Sequence, residues 1–181
     1  MGWIILIIVV LILVFLINIY NNLVSLRQKV KNAWSQIEIQ LQRRFDLIPN
    51  LVETVKGYMG HESNILTKVA ELRTAWANAK TVAEKSNLDT QLSDTLKTIM
   101  AVSEAYPDLK ANQNFTSLQQ ELANTENKIS YSRQFYNDIV TTYNTKIQVF
   151  PSNIVAGMFN FTQETLFEVD NPEAVSYTHL T

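Results

Sequence analysis

The sequence predicts an all-α protein in which an N-terminal transmembrane helix continues into an antiparallel bundle of about four long helices. Three observations support this fold class. The 181 residues include only 4 Gly and 4 Pro, fewer turn residues than a sandwich or a barrel needs. An apolar run, uninterrupted from Trp3 to Ile17, opens the chain. Apolar residues then recur at alternating steps of three and four, which is the period of an amphipathic helix.

The apolar run extends from Trp3 to Tyr20 and is long enough to cross a bilayer. As a helix of about 18 residues it measures roughly 27 Å, close to the thickness of the hydrocarbon core. Trp3 and Tyr20 bracket the run, where aromatic rings prefer the headgroup level. The basic n-region and small-x-small cleavage site of a signal peptide are missing, so we predict an uncleaved anchor over residues 1–20. Its marker residues are Trp3, Ile8, Leu11, Phe15 and Tyr20.

The charges that flank the anchor predict its orientation. No Lys or Arg precedes the apolar run, whereas Arg27, Lys29 and Lys31 follow it. By the positive-inside rule, this asymmetry places the bundle in the cytoplasm of a single-pass protein of the cell membrane. The alternative is that these cations only solvate a helix face or contact lipid phosphates.

Four apolar stripes over residues 21–168 predict the bundle helices. The first continues from the anchor to Pro49, and the second spans roughly residues 50–80 with Asn50 as its N-cap. The third begins at a capping pair of Ser86 and Asp89 and ends at Pro107. The fourth helix has the most regular stripe, formed by Phe115, Leu118, Leu122, Thr125, Ile129, Ser132, Tyr136, Ile139 and Tyr143.

Two helix corners, at residues 43–52 and 104–115, are expected to meet at the membrane-distal end, because short connections make neighbouring helices antiparallel. A polar patch there is a candidate partner surface, formed by Arg43, Arg44, Asp46, Asn50, Glu53, Glu104, Tyr106 and Asp108. The alternative is that these side chains only fix the corners through caps and ion pairs, which are individually weak at a surface.

The same topology returns a short apolar segment after Pro151 to the neighbourhood of the bilayer. Its candidate membrane-interface residues are Phe150, Ile154, Met158, Phe159 and Phe161. Either this segment covers the base of the bundle, or it lies in the lipid interface as an amphipathic helix.

The composition argues against several classes of function. A net charge of −2 and a pI near 5.7 lack the basic excess of a nucleic-acid surface, and 0 Cys excludes disulfides, thiolate metal sites and cysteine nucleophiles. The Glu-x-x-His pairs of a di-iron bundle are missing, since the chain has only His61 and His179. Glu62 is interpreted as a carboxylate at the edge of an apolar stripe. We therefore predict no enzyme, no catalytic residue, no metal site and no cofactor.

Three strings resemble the LemA family over roughly residues 20–168, namely RRFDLIPNLV from Arg43, YPDLKAN from Tyr106, and YNDIVTTYNTKIQVFPSNIVAGMF from Tyr136. The resemblance implies a membrane-anchored antiparallel bundle of bacteria with no established enzymatic activity. It also implies gene neighbours that encode membrane metallopeptidases and other envelope proteins, and one branch of the family belongs to magnetosome membranes. The chain departs from the family in its start, which has no basic residue before the anchor. Within the tail at residues 169–181, the ending Val175–Thr181 is unlike a LemA ending, and we interpret it as an addition foreign to the natural chain.

The function predicted from these features is that of a membrane-anchored scaffold or adaptor. Its expected partners are the lipid bilayer and a membrane or envelope protein, for which the resemblance suggests a membrane metallopeptidase. Two alternatives stay open: a hydrolase or metal-dependent enzyme built in the bundle, and a membrane-shaping protein that acts through residues 150–161.

Overall fold

A computed structural model of the chain describes residues 2–59 and 63–168. In this described part all regular structure is helical, which confirms the predicted all-α class. The helices are α1 (Gly2–Asp46), α2 (Ile48–Lys56), α3 (Ser63–Asn78), α4 (Val82–Ser103), α5 (Pro107–Lys110), α6 (Gln113–Gln148) and α7 (Ser152–Met158). The tail at residues 169–181, including the ending that we interpret as foreign, lies outside the described residues.

Contacts divide the chain into two compact units. The first unit contains residues 1–37 and 132–166, and the second contains residues 38–131 and the segment that begins at Phe167. The long helices α1 and α6 each contribute to both units.

In the first unit, α1 and α6 run antiparallel. The Trp34 ring lies 5.7 Å from the ring of Tyr136, and the Tyr20 ring lies 4.7 Å from that of Phe159. The earlier residue of α1 thus contacts the residue that comes later in the chain, as antiparallel helices require. The buried core consists of one stripe from each helix together with residues of α7. Its main members are Leu23, Val30, Ala33, Ile37, Tyr136, Val140, Tyr143, Ile147, Val155 and Ala156.

In the second unit, α3 and α4 run antiparallel, and so do α4 and α6. Lys68 on α3 donates to Gln91 on α4 at 3.3 Å, and Lys85 lies 5.1 Å from the Trp76 ring centroid. At the start of this unit Phe45 stacks on Trp76 at 4.6 Å. Trp76 is buried, and its Nε1–H donates to Gln42. This donation satisfies the indole nitrogen, which would otherwise be costly to bury.

The predicted second helix is interrupted. It starts earlier than expected, at Ile48, α2 ends at Lys56, and residues 57–59 are not helical. The structure describes α3 over Ser63–Asn78. Pro49 occupies the first turn of α2 and does not end a helix there, because the missing N–H of proline costs nothing at that position. Leu47, and not Asn50, is the N-cap residue.

The predicted cap of the third helix was also wrong. A capping box forms five residues earlier, where Thr81 accepts from the Glu84 N–H at 3.1 Å and Glu84 accepts from the Thr81 N–H at 2.9 Å. The N–H groups of Thr81 and Lys80 hold the pKa of Glu84 below its ordinary value. Ser86 and Asp89 lie inside α4 and are buried. A polar residue at a buried helix position has the same sequence spacing as a cap, so spacing alone did not separate the two.

Candidate functional site

The anchor half of α1 is exposed along its length. Its most apolar 18-residue window has a mean hydropathy of 3.2 and is 0% buried, and within it Ile8, Leu11 and Phe15 are each about half exposed or more. The side chain of Asn18 does not interrupt the apolar surface, because its Nδ2 donates to the Val14 carbonyl oxygen at 2.9 Å in the same helix. By length and composition, this segment is suited to cross a bilayer.

The neighbouring arginines of the predicted partner surface have opposite environments. Arg43 is about half exposed, and its Nη2 lies 3.0 Å from Oε1 of Glu121 on α6. Arg44 is only 3% exposed. It therefore lies in the core and offers no surface to a partner, which corrects the prediction for this residue.

Arg44 holds two carboxylates from two other helices. Its Nη1 lies 2.6 Å from Oδ1 of Asp89 on α4, and its Nη2 lies 2.6 Å from Oε2 of Glu126 on α6. The guanidinium fork suits this geometry because its donors are planar and diverge. The sequence pattern indicates that two members of this cluster are buried, since Arg44 and Asp89 both fall within apolar stripes at steps of three and four.

A groove runs between α2 and the start of α6 in the second unit. Its volume is about 540 Å³ and its lining is mostly polar, consisting of Asn50, Glu53, Thr54, Asn112, Asn114, Ser117, Leu118 and Glu121. Asn112 shapes one end of it. Its Oδ1 accepts from the N–H groups of Asn114 and Phe115, and its Nδ2 donates to the Tyr58 hydroxyl at 3.1 Å. The N-terminal end of α6, which these hydrogen bonds fix in place, therefore forms one wall of the groove.

The structure brings together only part of the predicted partner surface. Asn50 and Glu53 line the groove, and Arg43 adjoins it through Glu121. Asp46 is exposed and accepts from Gln42 one turn earlier on α1. Glu104 and Tyr106 lie between α4 and α5, Asp108 lies in α5, and none of the three is part of the groove lining. There Glu104 pairs with Lys110 at 2.5 Å, which ties the corner internally.

The apolar segment after Pro151 has a buried side and an exposed side. The buried residues of α7 are Ser152, Val155 and Ala156. Phe161 is also buried, at 7% exposure, with its ring 5.8 Å from the Tyr20 ring and 4.8 Å from the Arg27 guanidinium. Phe161 is thus a packing residue, which corrects its prediction as a membrane contact. The remaining candidates, Phe150, Ile154, Met158 and Phe159, are exposed.

A strap without regular secondary structure, residues 161–168, follows α7 and is held by side chains of α6 and α4. The Asn144 amide clamps the backbone of Glu164, accepting from its N–H and donating to its carbonyl oxygen, each at 2.9 Å. Tyr136 donates its hydroxyl to the Thr165 carbonyl oxygen at 2.7 Å, and Ser86 donates to the carbonyl oxygen of Glu168. Sequence reasoning missed this strap because its contacts go to backbone atoms, which carry no residue signature.

Burial governs the ionisation of the two tyrosines beneath the strap. Burial raises the pKa of Tyr136 to about 12, and the nearby Glu164 carboxylate adds to the effect. The pKa of Tyr143 is raised by burial and Glu164, against a smaller opposing effect of Arg27. Both phenols are therefore protonated at neutral pH. Tyr136 needs this proton to donate to the carbonyl oxygen of Thr165.

Among residues 2–59 and 63–168, no group of three or more His, Cys, Asp or Glu side chains is placed to hold a metal ion. His61, Glu62 and His179, which the sequence analysis weighed, lie outside the described residues.

Comparison with known proteins identifies relatives over most of the chain. The LemA family model matches residues 33–178. A protein named LemA from Metamycoplasma hominis is 27% identical over 158 residues, which cover 86% of this chain and 71% of that protein. Magnetosome protein MamQ 2 of Paramagnetospirillum magneticum is 24% identical over 175 residues, or 82% of this chain and 64% of the relative. MamQ of Magnetospirillum gryphiswaldense is 23% identical over 174 residues, again 64% of its length. This chain thus spans less than two thirds of either magnetosome protein. Because the family model covers more than half of the chain, the protein belongs to the LemA family.

Proposed function

We propose that this protein is a membrane-anchored scaffold or adaptor, without catalytic activity of its own, that binds a second membrane or envelope protein. The observation that carries the proposal is the continuity of α1, which is one helix from an exposed apolar anchor into a buried bundle core. A helix of this kind tethers a folded domain to the bilayer without a flexible linker. The relatives agree with a membrane role, since the names of two of them place them in magnetosomes.

The proposed partner surface is the groove between α2 and α6, with Arg43 on its rim. Exposed amide and hydroxyl groups, such as those of Asn50, Asn114 and Ser117, can donate to and accept from the backbone of an extended polypeptide. Glu53 adds a carboxylate that favours a basic side chain on the partner. We therefore propose a peptide segment of a membrane or envelope protein as the occupant, of which a membrane metallopeptidase is one candidate.

The proposal extends to topology. Lys29 and Lys31 are exposed just beyond the anchor, so the positive-inside rule favours a single-pass arrangement with the bundle in the cytoplasm. Arg27 gives weaker support, because its guanidinium lies over the Phe161 ring and has a packing role as well.

Capture of partners by the tagged full-length chain tests the proposed surface. Membranes are cross-linked, solubilised and purified in parallel for the unaltered chain, for Arg43→Ala and for Lys97→Ala. Lys97 is a matched control because it is an exposed cation of the same unit and pairs with Asp94 one turn away on its own helix. We expect Arg43→Ala to reduce recovery of the partner and Lys97→Ala to leave it unchanged. Equal recovery from all three chains would show that the interaction surface lies elsewhere.

A further inference from the structure

We propose that α7 and its flanking aromatic residues lie in the headgroup region of the bilayer that the α1 anchor crosses, as a second point of membrane attachment. The inference depends on the anchor but not on the partner groove. It starts from composition, since the chain carries no Asp, Glu, Lys or Arg between Ile147 and Gln163. An exposed segment of this length without a charge is unusual for a water-facing surface.

The segment is amphipathic in the structure. On its inner side, Val155 and Ala156 are almost completely buried. On its outer side, large apolar side chains face away from the protein, with exposed fractions of 78% for Phe150, 52% for Ile154 and 67% for Met158. One side of α7 therefore secures it to the first unit, and the opposite side offers an apolar face to a medium other than water.

The depth of α7 follows from the pairing of α1 with α6. Tyr136 lies beside Trp34 at 5.7 Å, and the two helices are antiparallel. Both helices rise about 1.5 Å per residue, so Gln148 at the end of α6 lies level with Asn22, two residues beyond Tyr20. The ring contact of Phe159 with Tyr20 at 4.7 Å agrees with this level. The turn that leads into α7 thus coincides with the end of the apolar run.

The surroundings of α7 match a lipid interface. Its exposed face adjoins the exposed anchor, so a bilayer that covers the anchor reaches α7 without a gap. The exposed cations Lys29 and Lys31 lie about 13 to 17 Å beyond Tyr20 along α1. Cations near the bilayer surface are attracted to the phosphates of anionic lipids. Tyr20 places an amphipathic aromatic ring at the headgroup depth that Trp and Tyr prefer, and the ring of Phe159 packs against it.

Single spin labels on the full-length chain test the proposal. The native chain has 0 Cys, so one introduced cysteine is labelled without interference. Ile154→Cys and Met158→Cys report on α7, Leu11→Cys marks the hydrocarbon, and Ala123→Cys on the exposed side of α6 marks water. Each labelled protein is reconstituted in vesicles of phosphatidylcholine and phosphatidylglycerol. Collision of the label with oxygen, which concentrates in lipid, is compared with collision with a water-soluble nickel chelate.

We expect the ratio of oxygen to nickel collisions at positions 154 and 158 to exceed that at 123 several-fold and to lie closer to that at 11. All four positions are exposed, so the substitutions remove no core contact, and circular dichroism checks that each variant is folded. A ratio at 154 and 158 equal to that at 123 would overturn the proposal. Low collision with both reagents together with dipolar broadening would overturn it as well, because a second copy of the chain would then cover α7.

Discussion

At the scale of single residues, Arg43 and Arg44 are neighbours in the chain with opposite surroundings in the fold. Both are arginines at a predicted corner, and composition gives them the same role. A helix turns 100° per residue, so the neighbour of a surface position reaches the core, and Arg44 falls on the stripe that holds Leu41 and Phe45. The partners Asp89 and Glu126 are distant in sequence, and only the packing of three helices reveals them.

The first prediction separates these two arginines by stability. Arg44→Ala should lower the free energy of unfolding by about 3 to 5 kcal/mol, because it leaves the buried carboxylate of Asp89 without this cation. Arg43→Ala should change it by only about 0 to 1 kcal/mol, since the pair with Glu121 is solvent-exposed. Urea unfolding followed by circular dichroism measures both.

A double variant tests the reason for that loss. Arg44→Met combined with Asp89→Leu removes both buried charges together, so it should recover stability relative to Arg44→Ala. If Arg44→Ala were as mild as Arg43→Ala, the buried cluster would not be an energetic part of the core.

At the scale of elements, the sequence predicted where helices exist better than where they begin. The stripe of the fourth helix was long and regular, and the buried residues Phe115, Leu122, Ile129 and Tyr143 of α6 follow it. Toward its end, Val140 is buried and Ile139 only partly so, because an α-helix drifts about 20° per heptad from the strict period. Helices do end shortly before Pro49 and Pro107, at Asp46 and Ser103, but each proline itself lies in the first turn of the next helix.

The second prediction concerns the strap and its dependence on pH. Tyr136 is buried and donates to Thr165, and its pKa is raised from 10.0 to about 12. A raised pKa favours the protonated phenol in the folded state. The contribution of the Tyr136 phenol to the free energy of unfolding is therefore complete below pH 10 and is lost as the pH rises from 10 through about 12. The loss should be on the order of 1 to 3 kcal/mol.

Chemical unfolding at pH 8 and pH 11 measures this contribution as a difference between variants. Tyr136→Phe should destabilise the protein at pH 8, because the hydrogen bond to Thr165 is lost. Between pH 8 and pH 11, the free energy of unfolding of this variant should fall by less than that of the unaltered chain. Tyr131→Phe is the matched control, since Tyr131 is 76% exposed on the same helix. An identical alkaline loss in all three proteins would contradict a role for Tyr136 in holding the strap.

At the scale of the whole molecule, the class of fold was predictable because it depends on features that persist over many residues. The apolar run and the stripes of three and four each extend over several turns, and single exceptions such as Asn18 do not erase them. The candidate site was predictable only in part. The predicted residues Asn50 and Glu53 line the groove and Arg43 adjoins it, whereas Glu121 enters its lining through the packing of α2 against α6.

The third prediction is that the helical domain folds without its anchor. The most apolar window of α1 is 0% buried, and the first fully buried residue of the first unit is Leu23. Removal of residues 1–21 takes away the Tyr20 ring contacts with Phe159 and Phe161 but no buried side chain, and the truncated chain should keep its helices and its cooperative melting transition. Leu122→Ala in the same truncated chain should lower the free energy of unfolding by about 2 to 5 kcal/mol, because this leucine is 5% exposed and its loss leaves a cavity. Circular dichroism and urea unfolding measure both changes. Loss of helix content beyond the deleted residues would show that the domain depends on its anchor, and a mild effect of Leu122→Ala would show that α6 is not a packed element of the core.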